Sequence, residues 1–334
     1  MLPETAQAPV SVDISFFAEK IAHTLSTISY GDKPAELYDP IRYIMQLGGK
    51  RLRPLVTVLA GYLFHDDIQK CLKPACGVEV FHNFTLLHDD IMDKAPLRRG
   101  QPTVHEKWNH NIAILSGDVM MVRAYELFLE VEPAKLQKVL KLFSNCAAAV
   151  CEGQQLDMNF ETQDYITIDD YLHMITLKTA VLLGFSLELG AILNGAPDKE
   201  AILLKRFGIN VGIAFQLRDD LLDVYGDQNK FGKQVGGDIL ADKKTFLLLT
   251  ALTQASESQR EILTRFREKT NYSAEEKVRE VTQVYNDLDI RTQTETIINK
   301  YFEEAIQSLD AVKAPEDRKA LLRNLALQLM ERES

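Results

Sequence analysis

Two five-residue stretches carry most of the chemistry this sequence offers. Asp89-Asp90-Ile91-Met92-Asp93 follows the apolar pair Leu86-Leu87, and Asp219-Asp220-Leu221-Leu222-Asp223 follows Phe215-Gln216-Leu217-Arg218. Both spell D-D-x-x-D. Carboxylates concentrated beside apolar residues are unfavourable unless positive charge compensates them. On a helix, residues four apart share a face with Cβ atoms about 6 Å apart. Asp89 then points with Asp93 and Asp219 with Asp223, while Asp90 and Asp220 turn aside by roughly 100°. Each pair would lie near a helix C-terminus, where the helix dipole already disfavours negative charge. Carboxylates without His or Cys suit a hard divalent cation, Mg²⁺ or Mn²⁺, and Mg²⁺ commonly completes its shell with substrate phosphates. The ligand pattern of an EF-hand calcium loop is absent. A solvated helix end would explain either motif alone; two copies behind apolar helices favour metal.

Cations accompany the acids. Gly48-Gly49-Lys50-Arg51-Leu52-Arg53-Pro54 combines flexible backbone, three positive charges and a helix start, and Arg98-Arg99-Gly100 closely follows the first motif. Lys230, Lys233 and Lys243-Lys244 follow the second. Any one of these reads as a solvated surface residue, but metals with converging Arg and Lys describe a diphosphate site. Gly48-Gly49-Lys50 is not a P-loop, since no G-x-x-x-x-G-K-[ST] occurs. His82 precedes Asp89 by two helical turns and is either a structural histidine or part of the site; His88 points away from Asp89. Trp108 and Tyr125 read as packing residues.

The elements that must position these groups are helices. Apolar periodicity predicts them over Ser11 to Ser29, Leu37 to Leu47, from Pro54, over Asp67 to Asp93 with a break or kink near Pro74, and over Asn111 to Glu130. Further helices are predicted from Pro133 to Phe160, Thr167 to Leu193, Lys199 to Val224, Thr245 to Ala255, Glu257 to Lys269, Ala274 to Gln307 and Ala314 to Glu331. Thr167 with Asp170 has the form of a capping box. No strand pattern is evident, and the glycine-rich stretch Gly226 to Asp242 is a long functional loop. The expectation is a single all-α domain of packed helices covering residues 1–334.

Bulk properties bound the function. The chain has 334 residues, a net charge of -10, 46% hydrophobic and 26% charged residues. That is a globular composition with length enough for a large core. Its acidity argues against a nucleic-acid or anionic-membrane surface. The four cysteines, Cys71, Cys76, Cys146 and Cys151, form no C-x-x-C and read as reduced. Met1 to Val12 has no basic segment leading into an apolar one, so no signal peptide is expected. No apolar run reaches the ~18 residues of a membrane span, so no integral membrane association is expected and the cytoplasm is the expected compartment.

Taken together, Gly48 to Pro54, Phe81-His82 through Asp93, Arg98-Arg99, Lys178-Thr179 and Phe215 through Asp223 resemble the trans-isoprenyl diphosphate synthases, or polyprenyl synthetases, in the right order from about residue 35 to 310. The resemblance implies a bundle of helices around a deep central cavity, a homodimer, and two aspartate-rich helices facing each other across the mouth. It implies three Mg²⁺ ions on an allylic diphosphate, with Asp89 and Asp93 binding two, Asp219 the third, and Asp90, Asp220 and Asp223 in support. Arg98, Lys178, Lys233 and Lys243 would contact the allylic diphosphate (dimethylallyl, geranyl or farnesyl). Lys50, Arg53, His82 and Arg99 would hold isopentenyl diphosphate, and Thr179 and Gln216 would line the reacting centre.

Product length is expected to depend on the residues before the first motif. Phe84, five before Asp89, is bulky and Thr85 is small, and the motif has no two-residue insertion. That pattern looks most like a geranylgeranyl synthase, with farnesyl second. Class I terpene cyclases share the first motif but carry an N-D-x-x-S-x-x-x-E type second site. Head-to-head condensing enzymes have different motifs, and a silent synthase subunit would not need both intact. The final residues Leu329 to Ser334 lack the basic tail of several relatives, which leaves the 226–242 loop, with Lys233, as the expected lid.

Overall fold

The computed structural model describes residues 13–226, 236–268 and 272–331. Its elements are almost entirely helical. The chain divides into two compact units, residues 1–59 with 67–130, and residues 60–66 with 131–334.

The first unit contains α1 (Ile14–Ser26), α2 (Ala35–Gln46), most of α3 (Leu52–Tyr62), α4 (Gln69–Met92), α5 (Val104–Lys107) and α6 (His110–Phe128). In α1 the i, i+4, i+8 residues Phe17, Ile21 and Leu25 are the buried stripe. After α2 the chain turns through Gly48 and Gly49, at φ +78 and +131, a region open to glycine and strained for side chains. The long helix α4 runs without interruption through Pro74, which stands in its second turn. It packs along α6, where Gly77 meets Ala124 and Phe128. Between them, β1 (Leu97–Arg98) and β2 (Gln101–Pro102) form a hairpin that periodicity did not predict. Its two turn residues, Arg99 and Gly100, sit at φ 53 and 74, the positive angles of a type I′ turn.

The second unit contains α7 (Pro133–Thr162), α8 (Ile168–Ile175), a π turn (Thr176–Ala180), α9 (Val181–Leu193), α10 (Asp198–Tyr225) and α11 (Gly237–Leu240), then α12 (Phe246–Gln254), α13 (Glu257–Glu268), α14 (Ala274–Asp287), α15 (Ile290–Asp310) and α16 (Glu316–Met330). The capping box at Thr167 and Asp170 is present as predicted. The helix predicted from Ala274 to Gln307 is two, because Asp289 adopts φ 54 and ends the run. The continuous segment Ile168–Leu193 is long and apolar enough to cross a membrane, yet 72% of its apolar window is buried inside the protein. It is a core helix, and every residue of Leu182 to Leu193 is buried.

Candidate active site

In the first unit, α4 ends at the first acidic motif. Asp93 is its exposed C-cap residue, and Asp89 lies one turn earlier, partly buried. Asp90 turns inward, as its spacing predicts, and is 2% exposed. Arg98 of the hairpin meets it with Nε 2.8 Å from both carboxylate oxygens and Nη2 2.6 Å from Oδ1. Asp90, one of the residues expected to support the metals, is bonded to Arg98, and this contact ties the hairpin to the helix end.

The cations converge behind this end. Nη1 of Arg53 lies 3.1 Å from Nε2 of His82. Burial holds the His82 imidazole well below its ordinary range, and the charges of Arg53, Arg99 and Arg98 push it further down. His82 is therefore neutral, with three guanidinium groups close enough to act on it. Arg99 donates to the Gly48 carbonyl, and its guanidinium covers Gly49, where a Cβ would come within 2.7 Å of Nη2. Lys50 is exposed beside them. The cluster is answered in part from within the chain, Arg98 by Asp90 and Arg99 by the charges of Glu79 and Asp90, and a diphosphate is an anion that would answer the rest.

Phe84 faces a different direction. Its ring centroid is 5.6 Å from that of Phe81 and 4.7 Å from that of His88. His88 in turn lies 3.2 Å from the Ile114 carbonyl and against Gly117, where any Cβ would overlap the imidazole. Phe84 is thus braced through His88 on α6, and His88 is a packing residue. Thr85 donates to the His82 carbonyl at 2.8 Å.

In the second unit, α10 carries the second acidic motif in its last turns. Asp219 is partly buried. Asp220 is 6% exposed and accepts from the Tyr171 hydroxyl and from Nε2 of Gln216 at 3.0 Å. Burial, with Asp238 adding, pushes the Asp220 carboxyl up to about 8, against the opposing pull of those two hydrogen bonds and of Lys243. Asp223 accepts the Asp238 N–H at 2.8 Å and so helps tie down the start of α11. Thr179 donates to Oε1 of Gln216 at 3.1 Å, bringing together the two residues expected at the reacting centre. Lys178 is paired with Asp157 at 2.5 Å. Lys243 is 60% exposed and 3.3 Å from Asp238. Lys244 donates to the Phe160 and Gln163 carbonyls and caps the end of α7. Lys230 and Lys233, and with them the expected lid charge, lie outside the described residues.

Among the described residues no three carboxylate, imidazole or thiolate groups converge into a closed metal cage. Pairs of aspartates on one helix face fit Mg²⁺, which keeps several waters and binds through one or two carboxylates plus substrate phosphates.

A polyprenyl synthetase family model matches residues 34–288. The chain belongs to the polyprenyl synthetase family. It is 38% identical over 304 residues to a geranylgeranyl diphosphate synthase of Methanosarcina mazei, covering 90% of this chain and 91% of that one. A crystal structure of a geranylgeranyl pyrophosphate synthase superposes with a TM-score of 0.88 at 42% identity, covering 96% of this chain and 98% of that one. The crystal structure of a polyprenyl synthase from Caulobacter crescentus CB15 complexed with calcium and isoprenyl diphosphate matches with a TM-score of 0.82 at 30% identity, covering 96% and 95%. The family's members are metal-dependent enzymes acting on isoprenyl diphosphates, and this chain is a trans-prenyltransferase.

Within this synthetase, several positioning groups had no sequence signal. Gly153 of α7 packs on the backbone of Leu177 and Lys178, and Gly212 of α10 on Ala180, where a Cβ would come within 2.7 Å of Cα. The π turn that presents Lys178 and Thr179 is therefore clamped between two glycines. Asp157 holds the lysine one α7 turn beyond Gly153. Gln154, 7% exposed, has no hydrogen-bond partner on either amide atom. Lys277, 2% exposed on its side chain, donates to the Leu240 carbonyl at 3.2 Å and pairs with Asp242 at 2.8 Å, fixing the chain between α11 and Lys243.

Proposed function

We propose that this prenyltransferase condenses isopentenyl diphosphate with an allylic diphosphate, head to tail and trans, to make geranylgeranyl diphosphate. The observation that carries the reading is the gathering of Arg53, Arg98 and Arg99 around neutral His82 beside an acidic helix end. With Lys50, Arg53, His82 and Arg99 take the diphosphate of isopentenyl diphosphate. Arg53 and Arg99 supply charge, and His82, being neutral, supplies one acceptor nitrogen toward Arg53 or one donor toward oxygen. Asp89, Asp93 and Asp219, with Asp223 in support, are the residues that would hold three Mg²⁺ ions. When bound, Mg²⁺ neutralises the departing diphosphate and so favours ionisation of the allylic C–O bond.

The chain's own groups do the rest. Lys178, kept in place by Asp157, joins Arg98, Lys233 and Lys243 in binding the allylic diphosphate. Oxygen dipoles of Thr179 and Gln216 lower the energy of the allylic cation. The double bond of isopentenyl diphosphate attacks that cation, and a proton leaves to the released diphosphate, which serves as the base. Phe84, braced against His88, limits how far the product grows.

The proposal extends to a homodimer. Leu115 and Val122 of α6 and its C-cap residue Leu129 recur every seven residues and are 57, 56 and 57% exposed, an apolar stripe of the kind that a second copy covers. Four free cysteines fit a reducing compartment, the cytoplasm.

The test is incubation of the purified protein with Mg²⁺, labelled isopentenyl diphosphate and each allylic primer, followed by chromatography. Geranylgeranyl diphosphate is the expected product. Farnesyl diphosphate would revise the length, a hydrocarbon would indicate cyclisation, and no product would indicate a silent subunit. Phe84→Ala should lengthen the product; unchanged chain length would remove Phe84 as the floor.

A further inference from the structure

Three hydrogen bonds run in series through the second unit: Thr179 to Gln216, Gln216 to Asp220, and Tyr171 to Asp220. Their directions are linked. An amide side chain fits its site either way round, because oxygen and NH₂ have nearly the same shape. What distinguishes the two orientations is the neighbour. The Tyr171 hydroxyl, donating to one Asp220 oxygen, holds the carboxyl so that its other oxygen faces Gln216 as an acceptor. Gln216 must then turn Nε2 toward Asp220 and Oε1 toward Thr179.

We propose that Tyr171 is a positioning residue that sets the polarity of the Gln216 amide, so that the carbonyl oxygen and not the NH₂ faces Thr179 and the reacting carbon. Tyr171 is well built for this. It is 2% exposed, belongs to the core cluster around α8 and α10, and follows directly on the Thr167–Asp170 capping box that fixes where α8 begins. Asp220 is its hydroxyl's hydrogen-bond partner, and nothing in the packing of the ring requires the oxygen. Without the phenol, Asp220 can rotate, the amide can turn over, and a positive N–H edge would replace an oxygen where a cation develops. The kinetic part of this inference rests on the proposed condensation; the orientation of the amide does not.

Tyr171→Phe removes one oxygen and leaves the ring. In the ligand-free full-length protein, the Gln216 side-chain NH₂ pair, assigned in ¹⁵N spectra through its loss in Gln216→Leu, should show one strongly hydrogen-bonded proton in the wild type and lose that shift in Tyr171→Phe. An unchanged NH₂ pair overturns the proposal. Should Tyr171→Phe fail to fold, Asp220→Asn breaks the same link from the other side and must produce the same loss. In the condensation assay, Tyr171→Phe should lower kcat about 10-fold or more, with KM for isopentenyl diphosphate within about 2-fold. Combining it with Gln216→Leu should add almost nothing to the loss from Gln216→Leu alone. Additive losses, or a lowered Tm with kcat intact, would reduce Tyr171 to a packing residue. If the wild type makes no prenyl diphosphate, the functional proposal fails, and the NH₂ signal still decides the role of Tyr171.

Discussion

The ends of α4 and α10 carry the same five-residue pattern and resolve its charge in different ways. In both, the first and fifth aspartates lie along one helix face and the second turns into the protein. Asp90 meets a guanidinium, and two charges neutralise each other. Asp220 meets a phenol and an amide, and the one opposing charge, that of Lys243, acts on it less than they do. Burial therefore wins at Asp220, whose carboxyl is pushed up to about 8. The motif by itself specifies where carboxylates point. What each inward aspartate does is decided by partners on other elements: it fastens a cationic hairpin at one end and an uncharged, orientation-sensitive network at the other.

The strongest way to break this comparison is to remove the outward aspartates. Asp89→Ala and Asp219→Ala should each lower the rate of condensation about 10²–10³-fold with the fold intact, the loss that the proposed metal role of each residue predicts. Raised Mg²⁺ should restore part of the activity in each. A loss confined to one end in single-turnover assays would mean that only that motif holds metal.

The inward aspartates differ next in stability. Arg98→Met leaves Asp90 buried and unpaired and should cost about 3 kcal/mol in urea unfolding, at the lower end for a broken ion pair because Arg98 is partly exposed. At the other end Tyr171→Phe deletes a hydrogen bond to a carboxyl that can take up a proton, and should cost about 1 kcal/mol. Equal losses would mean that ion pair and dipoles hold their aspartates alike.

Gly153→Ala should fall between these in stability, at about 1–3 kcal/mol for overpacking. Its catalytic effect should be larger than its size suggests, since the added methyl meets the backbone at Lys178 and must displace the π turn. A normal KM for the allylic substrate in this variant would show that the glycine clamp does not place Lys178.

Much of this was legible in the chain, for definite reasons. The four outward aspartates and the inward turn of Asp90 and Asp220 follow from helical spacing alone. The Thr167 cap and the glycine turn at residues 48–49 are local chemistry, and local chemistry is what a sequence displays. Most of the missed features are tertiary. Asp157 reaches Lys178 across 21 residues and Tyr171 reaches Asp220 across 49, with no spacing rule to pair them. The π turn exists because Gly153 and Gly212 let two helices press on it, and nothing within Thr176–Ala180 announces it. The α14–α15 break rests on one aspartate in a left-handed conformation, inside a stretch whose periodicity reads straight through.

The smallest expected effect concerns the cationic end alone. His82 titrates below its ordinary value in the folded protein, through burial first and the neighbouring arginines second. An unfolded histidine takes up its proton near pH 6.5, while the folded one resists. The unfolded state therefore binds more protons as pH falls below about 6.5, and stability drops with it. His82→Gln keeps a polar partner for Arg53 and cannot titrate, so its urea midpoint should fall less than the wild type's between pH 7 and 5. Binding of inorganic pyrophosphate at this end should oppose the wild type's loss, because an anion among Arg53, Arg98 and Arg99 offsets the charges that keep the imidazole neutral. Parallel pH profiles for the two proteins, with and without pyrophosphate, would show that the arginines do not act on His82 and would remove the electrostatic half of the comparison.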